Sequence, residues 1–444
     1  MNNKNKFVIE NGVLVKHLGD GIDEAFLDEP ISIKDDADEI TSVIIPEGVT
    51  SIGGDTFWGC DSLTSVIIPE GVTSIGERAF SGCTGLTGID LPNSLSVISR
   101  WAFSGCKGLK SLTIPRGVTE INGEAFSGCS GLTSIEVSDD NKAYYSENNC
   151  IIERGSKKLV LGCKNSIIPD DVTEIGEHAF DGCIELKSIV IPERVTKIEQ
   201  FSFRCCEGLE TFVIPDSVTK IGGYAFARCT GLKSIVIPDS VTYLYSYAFE
   251  NCSSLTSIVI GKNVRFFSVS DTFEGCTGLA SIEIKDGNEK YYSQNNCIIE
   301  RGSKNLVLGC KNSIIPDDVT EIGKHAFCGC KGLETVVIPK SVTKIGSIFL
   351  GGSSFRDCTG LTSVVISEGV TEIGSHAFEK CTALKSVALP KSLKKIGYCV
   401  FRDSGVETVT YAGTRSEFNA IERTEWDRES KIDTVVCLGG ETWK

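Results

Sequence analysis

Twenty cysteines and four histidines stand among the 444 residues of the chain, and their spacing decides whether thiol, redox or metal chemistry is on offer. Twelve cysteines recur at one place in a repeated segment: Cys60, Cys83, Cys106, Cys129, Cys183, Cys206, Cys229, Cys252, Cys276, Cys330, Cys358 and Cys381. A column of this kind gives each thiol two equivalent neighbours, whereas zinc needs ligands that converge tetrahedrally. The twelve read as buried thiols filling small apolar gaps. Cys150 with Cys163, and Cys297 with Cys310, bracket a proposed hairpin and are the disulfide candidates, the alternative being further packed thiols. Cys205, Cys328, Cys399 and Cys437 add no metal-ligand spacing.

His178, His325 and His376 occupy one repeat position. At the spacing of stacked strands the first two lie about 29 Å apart and the last two about 10 Å. Too distant to share a metal or a nucleophile, they read as surface residues beside an Ala-Phe turn. Ser-His-Asp or Cys-His catalysis then lacks its base. Asp139-Asp140-Asn141 and Asp286-Gly287-Asn288 invite a calcium reading, but Ala143 stands where an EF-hand loop needs a ligand, so both read as solvated turns. Asp35, Asp36, Asp38 and Glu39 read as a solvated acidic edge. No catalytic residue, metal ligand or cofactor site is expected.

The elements that carry these residues repeat. LTSVIIPEGVTSIGERAFSGCTG from Leu63, LTGIDLPNSLSVISRWAFSGCKG from Leu86 and LKSLTIPRGVTEINGEAFSGCSG from Leu109 stack in register with a period of 23 residues, within the range of leucine-rich repeats. Counting the proline position gives sixteen units: eleven carry Pro, from Pro46 to Pro390, and Ser138, Gly261, Lys285, Ser367 and Ala412 substitute it. Leu63, Val66 and Ile68 point inward, Pro69 ends the strand because it cannot donate to a ladder, and Val72, Ile75, Ala79, Phe80 and Cys83 return to the core. The expected fold is a leucine-rich-repeat solenoid, an α/β-class horseshoe of short parallel strands with little helix, spanning an arc of roughly 75 Å at the strand spacing.

Three segments organise the chain: residues 1–39 as an N-terminal cap, 40–403 as the repeat array, and 404–444 as the last coil and C-terminal cap. FVIENGVLVK, with Asn-Gly between apolar runs, predicts a hairpin. Thr414 and Glu417 predict a capping box for a helix SEFNAIER, and Trp426, Val436 and Cys437 a closing segment. Longer inserted coils near 138–168 and 285–315 nearly match each other at an offset of 147 residues, and in each CIIE and KLVLGC or NLVLGC flank a short hairpin turn. A smaller insertion, SIFLGGSS, begins at Ser347.

Two surfaces are candidates for a partner. Val190, Val213, Val236 and Val259 take the exposed central strand position of four consecutive coils on the concave face, flanked by Lys187, Glu210, Lys233 and Thr256. Contiguous apolar stripes mark partner sites, although β-branched residues suit any open strand position. Phe201, Tyr224 and Tyr247 form an aromatic column with Tyr243 and Tyr245 close by. It suits protein or sugar recognition, or simply covers the back of the coil. A net charge of −15 argues against nucleic acid, and no stretch is long enough to span a membrane. MNNKNKFVIENGVLVKHLGDG has no continuous apolar run, so no signal peptide is read.

LTSVIIPEGVTSIGERAFSGC, with its IP, IG, AF and C positions, resembles the BspA-like leucine-rich repeat family, the bacterial Tp-type repeat. NNCIIERGSKKLVLGCKNSIIP and YAGTRSEFNAI resemble segments of the same family. The resemblance implies a non-catalytic, monomeric protein at the cell surface or outside the cell that binds a protein or a glycan in adhesion or host interaction. The alternative is a cytoplasmic protein–protein scaffold. An enzyme would need a catalytic module, and no unassigned stretch is long enough to hold one.

Overall fold

Apolar and polar residues alternate along the first strand of each repeat, and that alternation fixes which side of the coil meets water. Ser111–Ile114 follows it: Leu112 and Ile114 are buried, Ser111 and Thr113 exposed. A second, two-residue strand such as Glu120–Ile121 supplies the next side. Tight turns ending in an Ala-Phe pair and a cysteine supply the third. The computed structural model describes residues 6–10, 13–18, 41–266, 269–348, 351–438 and 440–443. It is a β-solenoid of about seventeen coils with almost no helix. Two compact units divide it, Met1–Leu209 and Glu210–Lys444, the division falling inside the expected array.

In the first unit Lys6–Glu10 and Val13–Leu18 pair antiparallel around Asn-Gly, and Val13–Leu14 pair in parallel with Ser51–Ile52. The rest of the expected cap, with Asp35, Asp36, Asp38 and Glu39, lies outside the described residues. Ser51, Ser74, Val97 and Glu120 then stack in register, as do Ile52, Ile75, Ile98 and Ile121. The first-side strands are less continuous than the period suggests. Ser42–Ile44 pairs with Ser65–Ile67, Ser111–Ile114 with Ser134–Val137, and a single bridge joins Ile67 to Asp90. On the third side Phe57, Phe80, Phe103 and Phe126 stack face to face at 5.1–5.3 Å.

The first insertion forms three antiparallel strands rather than one hairpin: Tyr144–Glu147, Cys150–Glu153 and Lys158–Leu161, the last pairing in parallel with Glu174–Ile175. Asn141 creates the extra strand. Its Oδ1 accepts from the Ala143 and Tyr144 amides at 2.9 and 2.8 Å, and its Nδ2 donates to the Pro115 and Val118 carbonyls at 2.8 and 2.9 Å. The reading of Asp139-Asp140-Asn141 as a solvated turn is therefore corrected: the aspartates are exposed, but Asn141 is buried and pins the turn to the coil before it. Asn288 does the same in the second insertion, holding the Lys290 and Tyr291 amides and the Val264 carbonyl.

Neither insertion contains an Ala-Phe turn. The third side therefore passes directly from Gly128 to the next Ala-Phe coil, the Gly128 amide donating to the Asp181 carbonyl at 2.9 Å. Gly162 fills the gap, donating to the Ala179 carbonyl at 2.8 Å, and a Cβ there would sit 2.2 Å from the Phe180 ring.

The second unit repeats the plan. First-side strands 234–237, 257–260 and 281–284 pair in parallel, as do 335–338 with 363–366, and 386–389 with 408–411. Tyr291–Gln294, Cys297–Glu300 and Asn305–Leu308 form the matching insertion, with Gly309 against Phe327. In SIFLGGSS, Phe349 and Leu350 lie outside the described residues. Thr414 and Glu417 make the expected capping box, but the helix stops at Asn419 because Glu422–Arg423 pair with Lys395–Ile396. Thr434–Cys437 adds in parallel to Thr408–Tyr411 and forms a seventeenth coil beyond the sixteen counted at the proline position. Trp426 closes it edge-on to Phe401 at 6.0 Å.

Overpacking a filled site costs about 1–3 kcal/mol. Gly162→Ala and Gly309→Ala are each expected to lower the unfolding free energy, measured by urea titration, by an amount in that range. Gly155→Ala, where a Cβ meets nothing within 4 Å, should stay within about 0.5 kcal/mol.

Candidate functional site

Every ordinary coil buries its cysteine beneath the phenylalanine of the coil before. The thiols of Cys83, Cys106 and Cys129 donate to the Phe57, Phe80 and Phe103 carbonyls, each at 3.1 Å. In the second unit Cys252, Cys276, Cys358 and Cys381 donate to the Phe226, Phe249, Phe327 and Phe355 carbonyls at the same distance. The residue type follows from this: the position takes a small, largely apolar side chain that also carries one donor. After an insertion no such phenylalanine precedes, and Cys183 and Cys330 reach only the Gly162 and Gly309 carbonyls at 3.9 and 3.7 Å. Burial pushes the Cys129 and Cys381 thiols up to about 12, far from a reactive thiolate.

Cys150, Cys163, Cys297 and Cys310 are free, buried thiols in the structure, the packed-thiol alternative to the two candidate disulfides. Cys150 Sγ faces the Asn148 and Ile167 carbonyls at 3.8 and 3.7 Å, and Cys163 Sγ accepts from the Ser166 hydroxyl at 3.8 Å. Burial pushes Cys150 and Cys297 up to about 12.

Of the stripe on the first side, the first unit carries Lys187 and Val190, both exposed, Val190 at 82%. The second carries Val213 at 78%, Val236 at 54%, and the Lys233–Glu210 ion pair at 2.5 Å, with Thr256 exposed. Val259 is half-buried rather than exposed, because strands 234–237 and 281–284 flank it on both sides. Val190 and Val213 lie in extended segments that are not strands, so strand preference does not account for valine there. The same column holds exposed Ile44, Ile67 and Ile167 in the first unit and Ile314, Val337 and Val365 in the second.

Phe201, Tyr224 and Tyr247 are each half-buried. Tyr224 and Tyr247 stack at 4.9 Å in the second unit. In the first, Phe201 stacks on His178 at 4.7 Å, and Arg100 covers Trp101 at 3.9 Å. All four aromatic residues have positive φ, between 56° and 63°, which turns their rings along the column. Tyr243, 47% exposed, lines with Lys262, Arg265, Lys290 and Tyr291 a groove of about 740 Å³ in the second unit.

His178 corrects the reading of the histidines as surface residues. It is 4% exposed. Its Nδ1 donates to Asp181 Oδ2 at 2.9 Å, and its Nε2 faces Glu124 Oε1 at 3.1 Å and Glu177 Oε1 at 3.8 Å. Burial pushes the Asp181 carboxyl up, yet hydrogen bonds from His178, Arg204 and Ser127 outweigh it and hold the group below its usual range. Arg100 pairs with both Glu124 oxygens, and Gln200 donates to Glu177. His325 and His376 are half-buried; His376 Nδ1 lies 2.9 Å from Glu379, while burial and the Lys324 ammonium lower the pKa of His325. Spacing alone hid the His178 cluster, because Glu124 lies more than two periods upstream. The legible signal was the missing Ala-Phe pair in the insertion.

A family model described as BspA type leucine rich repeat region, in six copies, matches residues 35–150, 160–280 and 305–422. Among solved structures, a leucine-rich repeat protein from Bacteroides ovatus is 25% identical and covers 90% of this chain and 84% of that one, with a TM-score of 0.37. A leucine rich cell surface protein from Faecalibacterium prausnitzii is 23% identical over 95% of this chain and 97% of that one, TM-score 0.42. A leucine-rich repeat protein from Eubacterium ventriosum is 22% identical over 78% of this chain and 84% of that one, TM-score 0.48. No curated protein matches the chain.

Unfolded in guanidinium without reductant, the chain is expected to yield twenty reactive thiols. Folded at about pH 8, only Cys205 and Cys328, which are not fully buried, should be open to a thiol reagent, Cys328 slowly because burial pushes its thiol up to about 12. A shortfall of four in the unfolded count would restore the two disulfides.

Proposed function

Because the chain belongs to the BspA-type leucine-rich repeat family, we propose that it is a non-catalytic, monomeric binding protein of the cell surface. It engages a protein or glycan partner, in adhesion or host interaction, through the open face of its first-side strands. The exposed valines at 213 and 236, one period apart in the second unit, carry this reading. Leaving such side chains in water forgoes roughly 1.5–3 kcal/mol of burial each, and at Val213 no strand assignment explains the choice. Exposed apolar surface of this kind gains its burial from a partner. The Lys233–Glu210 pair gives the rim its charge, as partner surfaces have. The aromatic column and the basic groove offer less, since stacking already covers most of the rings.

A second reading, an intracellular protein–protein scaffold, is favoured by one observation: all twenty cysteines are free, as a reducing compartment keeps them. Among the described residues no helix is long and apolar enough to cross a membrane.

The double variant Val213→Asp/Val236→Asp tests the face. Against a panel of extracellular-matrix and cell-envelope proteins, any partner found for the parent chain should bind the variant at least tenfold more weakly, with the unfolding midpoint unchanged. Equal affinity would move the site off this face.

A further inference from the structure

We propose that the first unit binds a divalent transition-metal ion between His178 Nε2 and the carboxylates of Glu124 and Glu177. The argument starts at the other ring nitrogen. An ionised Asp181 can only accept, so the hydrogen bond at 2.9 Å places a hydrogen on Nδ1 and makes Nε2 the nitrogen that would ligate an ion. Nε2 is shielded from water and has no hydrogen-bond partner, although Glu124 Oε1 is 3.1 Å and Glu177 Oε1 3.8 Å away. Arg100 donates to Glu124 and Gln200 to Glu177 from the outer side, so the buried Nε2 is the one ligand atom of the three without a partner, and it is aimed at two carboxylate oxygens that each keep lone pairs for a cation.

The geometry suits a metal. The three ligand atoms lie within 4.8 Å of one another. An ion about 2.0–2.2 Å from each nitrogen and oxygen sets such donors roughly 3–4 Å apart. One imidazole with two carboxylates suits zinc and its first-row neighbours. Each ligand is also held from behind. Arg204 grips Asp181 with two hydrogen bonds at 2.8 and 2.9 Å, and Ser127 adds a third, so the carboxylate that orients the imidazole is itself fixed. Arg100 uses one lone pair on each Glu124 oxygen and leaves the others free. Phe201 closes one face of the His178 ring.

The second unit serves as an internal control. At the 147-residue offset Asp271, Lys324 and His325 replace Glu124, Glu177 and His178, and Cys328 replaces Asp181. Lys324 sets an ammonium where a ligand would stand, so the second insertion makes no such site.

The test uses the full chain, freed of metal with a chelator and titrated with Co²⁺ and Zn²⁺. One ion per chain is expected, with a cobalt spectrum free of thiolate charge transfer. Affinity should fall at least tenfold in His178→Gln and in Glu177→Lys, and stay unchanged in His325→Gln. Glu177 is 39% exposed, so its variant keeps the test decisive if His178→Gln fails to fold. Absence of saturable binding would overturn the proposal. So would binding unaffected by Glu177→Lys, or a thiolate spectrum.

Discussion

On the third side a backbone donor of one coil finds its acceptor on the next, at the residue just before its own equivalent position one period later. The Phe57, Phe80 and Phe103 amides donate to the Ala79, Ala102 and Ala125 carbonyls, each at 2.8 Å, and the Gly59, Gly82 and Gly105 amides to residues 81, 104 and 127 at 2.7–2.8 Å. Buried backbone groups left unmade would cost more than any side-chain contact returns. Register is therefore fixed before packing, and packing inherits it: phenylalanine on phenylalanine, isoleucine on isoleucine, thiol under carbonyl.

The constraint also explains where polar chemistry enters. An insertion that supplied its own Ala-Phe turn would have continued the ladder. These two instead end in Gly162 and Gly309 and let one coil reach past them to the next. Side chains that sequence separates by 54 positions, Glu124 and His178, become vertical neighbours, and the apolar column yields to a buried cluster of His178, Asp181 and Glu124 with Arg100 and Arg204. The two copies then differ: Glu177 in one stands where Lys324 does in the other.

Most of the fold was legible because the period is strict. The inward residues, the Asn-Gly hairpin and the Thr414–Glu417 capping box all follow from local rules whose energetics do not depend on distant partners. Three features were not. Asn141 reads as part of an acidic turn because an asparagine that brackets backbone looks, in sequence, like one that meets water. The helix after Thr414 ends early because Glu422–Arg423 gain a strand partner 27 residues away. His178 reads as a surface residue because its neighbours are set by the coil the insertion skips. The outward alternation of Val213 and Val236 was legible, but the half-burial of Val259 required knowledge of which strands flank it.

Amide hydrogen exchange tests the register most directly, and the Gly128 amide is the decisive probe. If the ladder crosses the insertion to Asp181, Gly128 should exchange as slowly as Gly82 and Gly105, whose partners lie one period on. Rapid exchange at Gly128, with the other two protected, would mean the insertion breaks the stack, and the account built on it would fail.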